Sequence, residues 1–265
     1  MNLKLTHPTA FVPTMGALHA GHESLIKIAK ELANEVVVSI YVNPLQFENP
    51  NDFSSYPKTL ESDTKLAEAS GATLVWAPTF EEIYPSDPEL ISAGEIGNLF
   101  EGVHRFGHFD GVLTVVKRLF DLVQPKYAVF GEKDFQQLFL INQMVNQMQL
   151  PVKIIAAPTI REANGVAMSS RNSRLSVSEQ GQATGIYLAL KTAAAANDLE
   201  RARHLLNKEI TSIPGFLLDY AEIIDENTFE VATEITAKSR AIVAGWINGV
   251  RLLDNMAMPK LEVPE

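Results

Sequence analysis

The residues with the most chemical content lie between Pro13 and His22, in the order Pro-Thr-Met-Gly-Ala-Leu-His-Ala-Gly-His. The apolar residues Ala10, Phe11 and Val12 precede them, and a helical spacing of Leu25, Ile28, Ala29 and Leu32 follows. This pattern predicts a strand, a tight glycine loop and a helix that opens near His19. A helix N-terminus carries free N–H groups and partial positive charge, which suits phosphate. Two imidazoles three residues apart fall on one side of the first turn. They add donors that can follow charge developing on a phosphoryl group. Gly16 and Gly21 lack a Cβ and let a ligand approach closely. Two alternatives stay open on these residues alone. One is a histidine pair on a metal, although no cysteine and no nearby carboxylate cluster completes a zinc set. The other is a helix cap that happens to use histidines.

Three further segments follow apolar runs. In Asn43-Pro44-Leu45-Gln46-Phe47 an amide at a strand end can bind a carboxylate or hydroxyl without bringing a charge. The alternative is a turn that Asn43 caps, with Gln46 solvated. In Gly131-Glu132-Lys133-Asp134-Phe135-Gln136-Gln137 the glycine leaves space, Lys133 can reach a phosphate and Asp134 can cap the next helix. The alternative is a surface ion pair of Lys133 and Asp134. The spacing is not that of a Walker A loop. Met168-Ser169-Ser170-Arg171-Asn172 joins two hydroxyls to a guanidinium, donors that suit a polyphosphate. The alternative is a polar loop before a helix. Residues 101–109 are basic, aromatic and glycine-bearing, and read as a lid or pocket wall or as a solvated stretch. Neither His104 nor His108 is assigned a catalytic role.

The elements that must position these groups alternate through the first part of the chain. A β-branched run over 36–42 predicts a strand covered on both faces. A helix is expected over 58–70, with Leu60, Leu66 and Ala67 inward and Gly71 as its stop. Strands are expected over 73–77, 127–130 and 152–156, and helices over 112–123 and 134–148. This order predicts an α/β fold with a doubly wound parallel sheet. Ligands in such sheets sit at the carboxyl ends of the strands. His19, His22, Asn43, Gln46, Lys133 and Asp134 all follow strand ends and are expected to share one crevice. After residue 159 the pattern changes. Ser176-Val-Ser-Glu179 is a capping box that opens a helix through 196. A second helix is expected over 198–210, and antiparallel strands over 217–224 and 240–247. Two domains are expected, 1–159 and a smaller α+β domain over 160–265.

The 265 residues are 46% hydrophobic and 20% charged, an ordinary globular composition. A net charge of -10 argues against a general nucleic-acid or anionic-membrane surface, while allowing a local basic pocket. The absence of cysteine excludes disulfides and thiol catalysis. Residues 1–9 lack the apolar core of a signal peptide, and no apolar run is long enough to span a bilayer. A soluble, cytoplasmic protein with no nucleic-acid or membrane partner is expected.

In this order the segments resemble the pantothenate synthetase (pantoate–β-alanine ligase) family over nearly the whole chain. The likeness runs through residues 13–22, Val42-Asn-Pro-Leu-Gln-Phe47, Tyr56-Pro-Lys-Thr59, residues 131–137 and residues 168–172. It implies a Rossmann-like nucleotide- and pantoate-binding domain and a smaller domain that closes over the ATP site. It implies an ATP-dependent ligase that forms pantoyl adenylate and pyrophosphate, and then lets β-alanine displace AMP. By the family pattern Met15, Gly16, Ala17, Leu18, His19, Ala20, Gly21 and His22 contact ATP. So do Gly131, Glu132, Lys133, Asp134, Ile160, Met168, Ser169, Ser170 and Arg171. Gln46 and Gln137 hold pantoate, with Gln46 also near β-alanine. His22 matches the histidine usually assigned as proton donor, and His19, Lys133 and Arg171 complete the catalytic set. The resemblance also implies magnesium bridging the phosphates, with no protein ligand identified by the motifs, and homodimers are usual. Arg105-Phe106-Gly107 stands where Arg-Pro-Gly is common, Leu45 where Met is common, and Asp121 where Asn is common.

Overall fold

Strand and helix periodicities alternate through the first part of the chain, and the backbone follows them. The computed structural model describes residues 5, 8–48, 53, 54 and 56–258. The chain divides into two compact units, Met1–Glu132 with Gln136–Thr159, and Lys133–Phe135 with Ile160–Glu265.

In the first unit five parallel strands form one sheet in the order β3-β2-β1-β4-β5. They are β1 (Thr9–Thr14), β2 (Glu35–Ile40), β3 (Leu74–Trp76), β4 (Tyr127–Gly131) and β5 (Lys153–Ala157). The main helices are α1 (Ala20–Leu32), α2 (Leu60–Ser70), α3 (His108–Val123) and α4 (Phe135–Gln147). Side chains alternate across the sheet. Ala10 and Val12 of β1 join Ile26 and Ala29 of α1 and Ala67 of α2 in one core. Phe11, between them, meets Phe120 of α3 edge-on at 6.4 Å. Both faces are therefore covered, which is why β2 reads as the unbroken apolar run Val36-Val37-Val38. The chain turns to opposite sides after β1 and after β4, so a switch point lies between these neighbours. The segments that leave their carboxyl ends carry the candidate groups.

Two expectations need correction. Leu60 does not point inward but is 48% exposed, and Asp63 takes the buried face of α2 beside Ala67. The acid is drawn inward because backbone donors meet it there. The helix expected from residue 112 opens four residues earlier, at His108, after Gly107 at φ 69°. His108 is buried rather than solvated. Gly71 ends α2 at φ 113°, as its position predicts.

The second unit packs α5 (Val177–Ala194) and α6 (Leu199–Thr211) with an antiparallel sheet ordered β6-β7-β8. Ser176 and Glu179 form the expected reciprocal capping box. Ile186, Leu190, Leu206 and Ile210 share a core with Ile223, Ala241 and Val243. Strands β6 (Phe216–Asp225) and β7 (Ser239–Ile247) agree with the sequence reading. The third strand, β8 (Val250–Met258), escaped it. Its signal is Asn248-Gly249, with φ 45° and 77°, between the paired residues Ile247 and Val250. That is the two-residue hairpin pattern in which both central residues need positive φ. No helix among the described residues is long and apolar enough to cross a membrane.

Candidate active site

The loop after β1 is built on a buried carboxylate. Thr14 Oγ1 donates to the Ser39 carbonyl at 2.7 Å and accepts from Gly16 N–H at 3.3 Å. Gly16 sits at φ 90°, and a Cβ there would lie 3.0 Å from Asp63 Oδ2. Ala17 is also left-handed, at φ 49°. The N–H groups of Ala17 and Leu18 donate to Asp63 Oδ2 and Oδ1, each at 2.9 Å. Thr59 Oγ1 donates to Asp63 Oδ2 at 2.9 Å, so the residue before α2 anchors the acid rather than the helix. Asp63 is 3% exposed. Sequence reasoning missed it. The available signal was a lone acid four residues after Thr59, on a face otherwise apolar at Ala67.

The two histidines are themselves the helix cap. His19 is the N-cap of α1 and His22 is its third residue, and the pair form a reciprocal capping box. His22 Nδ1 accepts from His19 N–H at 3.2 Å, and His19 Nδ1 accepts from Gly21 N–H at 3.1 Å. The ring centroids are 4.2 Å apart. A neutral imidazole that accepts at Nδ1 carries its proton at Nε2. Both rings therefore have Nε2–H donors at a helix N-terminus, where partial positive charge already favours an anion. The capping and phosphate readings of these residues are compatible, because they use different ring nitrogens.

The turn after β2 fixes Gln46. Asn43 caps the short 3₁₀ turn Pro44–Gln46, its Oδ1 accepting from Leu45 N–H at 3.4 Å. Asn43 Nδ2 donates to Gln46 Oε1 at 3.2 Å and to the Gly111 carbonyl at 3.0 Å. Gln46 is buried, not solvated. Its carbonyl is thus engaged, and its Nε2 reaches Met15 Sδ at 3.1 Å, a weak acceptor. His108 Nδ1 meets the main-chain oxygen of Gln46 at 2.9 Å. Gly111 leaves no room for a side chain, since a Cβ would stand 2.2 Å from Leu45 O. Gln46 therefore presents donor character beside the Met15 loop.

On α4 the two glutamines differ. Gln136 is buried, accepts from Glu101 N–H at 3.1 Å and donates to Ile96 O and Leu99 O at 2.8 and 2.9 Å. It clamps the chain over residues 96–101, at the start of the stretch 101–109. Gln137 is half-buried and makes no side-chain hydrogen bond among the described residues, so it is not joined to Gln46. Gly131 ends β4, and Glu132 is half-buried just after it.

Lys133 belongs to the second unit. There Lys133, Ser169, Arg171, Arg251 and Asp254 line one open pocket with Val166, Ala167 and Ile186. Lys133 Nζ lies 3.4 Å from Asp134 Oδ1. Its main-chain oxygen accepts from Asn255 Nδ2 at 2.8 Å. Phe135 lies under the Arg240 guanidinium at 3.9 Å and stacks with Phe229. Met168 N–H donates to Ile160 O at 2.9 Å, closing a turn that brings Ser169 forward. Ser169 Oγ accepts from Arg171 N–H at 3.3 Å, which caps the short helix Ser170–Arg174. The Arg171 guanidinium is half-buried and has no ion pair among the described residues. Arg161 binds Asp254 at both oxygens, at 2.6 and 3.0 Å, and lies over the Tyr187 ring. Burial pushes the Asp254 carboxyl above its ordinary range, against the pull of Arg161. Among the described residues no group of three His, Asp or Glu could hold a metal ion by itself.

The arrangement has close relatives. The family model described as pantoate-beta-alanine ligase matches residues 2–257. A pantothenate synthetase of Acidothermus cellulolyticus is 48% identical, over 97% of this chain and 88% of its own. One from Bacteroides fragilis is 44% identical over 92% and 89%. The crystal structure of pantothenate synthetase from Thermus thermophilus superposes with a TM-score of 0.91 at 39% identity, covering 96% of this chain and 94% of its own. That of pantoate-beta-alanine ligase from Francisella tularensis, complexed with beta-gamma ATP and beta-alanine, gives 0.80 at 37% identity over 96% and 92%. Matched in sequence and fold along nearly its whole length, the chain belongs to the pantoate–β-alanine ligase family of enzymes.

Proposed function

We propose that this ligase joins pantoate to β-alanine in two steps driven by ATP. A carboxylate oxygen of pantoate attacks the α-phosphorus of ATP in line, and the bond to the bridging oxygen breaks to release pyrophosphate. The product is pantoyl adenylate. The β-alanine amine then attacks the acyl carbon, loses a proton, and expels AMP with one original pantoate oxygen. A carboxylate is a poor electrophile, and adenylation supplies its leaving group.

The observation that carries this reading is the placing of two Nε2–H imidazoles at a helix N-terminus in the same unit as a buried, uncharged amide donor, Gln46. The imidazoles suit a phosphoryl group, and the amide suits a substrate that offers a carboxylate and hydroxyls. In the proposal His22 and His19 stabilise charge on the transferring phosphoryl group, with His22 as proton donor. Lys133 and Arg171 bind the phosphates, and Ser169 and Ser170 add hydroxyl donors. The main chain near Met15, Gly16, Ala20, Gly21, Gly131, Glu132, Asp134, Ile160 and Met168 completes the ATP contacts. Gln46 and Gln137 hold pantoate. ATP enters as its magnesium complex, the ion held chiefly by phosphate oxygens. The beta-gamma ATP and beta-alanine bound to the Francisella tularensis relative support the substrate assignment. A cytoplasmic homodimer belongs to the same proposal.

A nucleotidyl transferase that moves AMP onto a phosphate would share the histidines but need a cationic acceptor pocket. Gln46 and Gln137 are neutral, which favours a carboxylate acceptor. The test is isotopic. Oxygen-18 placed in the pantoate carboxylate should appear in AMP after turnover with β-alanine. AMP labelled only from bulk water would rule the adenylate out.

A further inference from the structure

Gly16 and Ala17 both have positive φ, and the N–H groups that follow converge on one point. Such a concavity of backbone N–H groups is a ready anion site. Here it is already filled by the protein's own carboxylate. Asp63 arrives from α2, forty-six residues away from Ala17 in sequence, and accepts from Ala17 and Leu18 with one oxygen each. Thr59 holds Oδ2 from the other side at 2.9 Å. Burial to 3% exposure shields the carboxylate from solvent, and a Cβ on residue 16 would lie 3.0 Å from its Oδ2, so the loop and the acid are closely packed.

We infer that Asp63 is a positioning residue for the nucleotide step, acting as a built-in anion that shapes the loop and keeps ATP phosphates off the Ala17 and Leu18 N–H groups. The inference rests on the proposed role of this loop in ATP binding. With those two donors occupied, the anion is directed one turn onward, to the N-terminus of α1 and the His19 and His22 Nε2–H groups. The loop also ends in the N-cap. A shift at Ala17 and Leu18 therefore moves His19 directly, and His22 through their reciprocal hydrogen bonds. Asparagine in this position would keep one acceptor and set an NH₂ group against the other N–H.

The experiment uses the full chain with Asp63→Ala and Asp63→Asn. Hydrogen exchange at the Ala17 and Leu18 amides reads the loop with no ligand. Kinetics with ATP and pantoate varied separately read the site. Both variants should exchange these amides faster and lose about 10- to 100-fold in kcat/KM for ATP, the scale of one charge-assisted hydrogen bond. Pantoate affinity without ATP should stay within about twofold, a change below half a kcal/mol. Formate has the size of the deleted carboxylate. It should restore part of the Asp63→Ala activity, while chloride at equal ionic strength does not. Unchanged exchange and ATP use in Asp63→Asn, which keeps the volume if the alanine variant unfolds, would overturn the inference. Equal losses for ATP and pantoate without formate rescue would also overturn it, leaving Asp63 as general support. If wild-type protein protects both amides yet binds no ATP, the functional reading fails instead, and this inference fails with it as a statement about the nucleotide.

Discussion

Asn255 Nδ2 donates to the main-chain oxygen of Lys133 at 2.8 Å, so the last strand of the small sheet fixes a cation that chain order places far from it. The adjacent Asp254 binds Arg161 at both oxygens and thereby fixes the start of the segment that carries Ser169 and Arg171. Two neighbouring residues of β8 thus hold both cationic segments of the pocket. Asn255→Ala removes the side-chain amide whose Nδ2 holds Lys133 and whose Oδ1 accepts from Arg240. It should lower kcat/KM for ATP by about tenfold or more, on the scale of one buried hydrogen bond. The KM for pantoate should hardly change. Steady-state kinetics with each substrate varied in turn checks this.

His22 has separable duties. Its Nδ1 caps His19 N–H, and its Nε2–H is the proposed phosphoryl donor. His22→Gln places an acceptor at the third helical position, where glutamine serves in ordinary capping boxes. Thermal stability should be kept to within about 0.5 kcal/mol, while kcat falls by about 10²–10³. His22→Ala should lose the same activity and about 1 kcal/mol of stability besides. Melting curves and single-turnover rates on both variants separate the two functions. Full activity in His22→Gln would reduce the histidine to a cap.

Gln46 has its carbonyl tied to Asn43 and its amide nitrogen beside Met15. Gln46→Ala should weaken pantoate binding by about tenfold or more while ATP binding stays near normal. Gln46→Glu should be worse, because Asn43 can still engage one oxygen while the other sets a negative charge against the substrate carboxylate. Separate calorimetric titrations of ATP and pantoate test the order. Unchanged pantoate affinity would leave Gln46 a turn residue.

Tyr41 governs the alkaline limit. Burial, and then the charge of Glu81, push its phenol from 10.0 up to about 12. Burial and Tyr41 move Tyr84 upward as well. The folded chain holds these protons more tightly than the unfolded chain. The Tyr41 contribution to stability is therefore complete below about pH 10 and is lost as pH rises through about 12. The Tyr41 hydroxyl is also buried without a hydrogen-bond partner. Tyr41→Phe should raise stability near neutral pH by about 1 kcal/mol and flatten the alkaline decline. Urea unfolding across the alkaline range checks both signs.

Local sequence determined the alternation of strands and helices, the glycine loop ahead of α1, the Ser176–Glu179 cap and the order of the motifs. Each rests on interactions within a few residues, and so leaves a period or a turn residue in the chain. The β8 hairpin was equally legible in Asn248-Gly249, although it was overlooked. Tertiary structure alone decided that Asp63 lies under the Met15 loop, that Asn43 is tied to the Gly111 carbonyl, and that Asn255 holds Lys133. It also decided that Gln136 is a clamp while Gln137 is not. These choices depend on donors and acceptors brought together across 35 to 122 residues of chain. A hydrogen bond at that separation satisfies a buried group only after the sheet has formed, and it imposes no periodicity on the residues beside it.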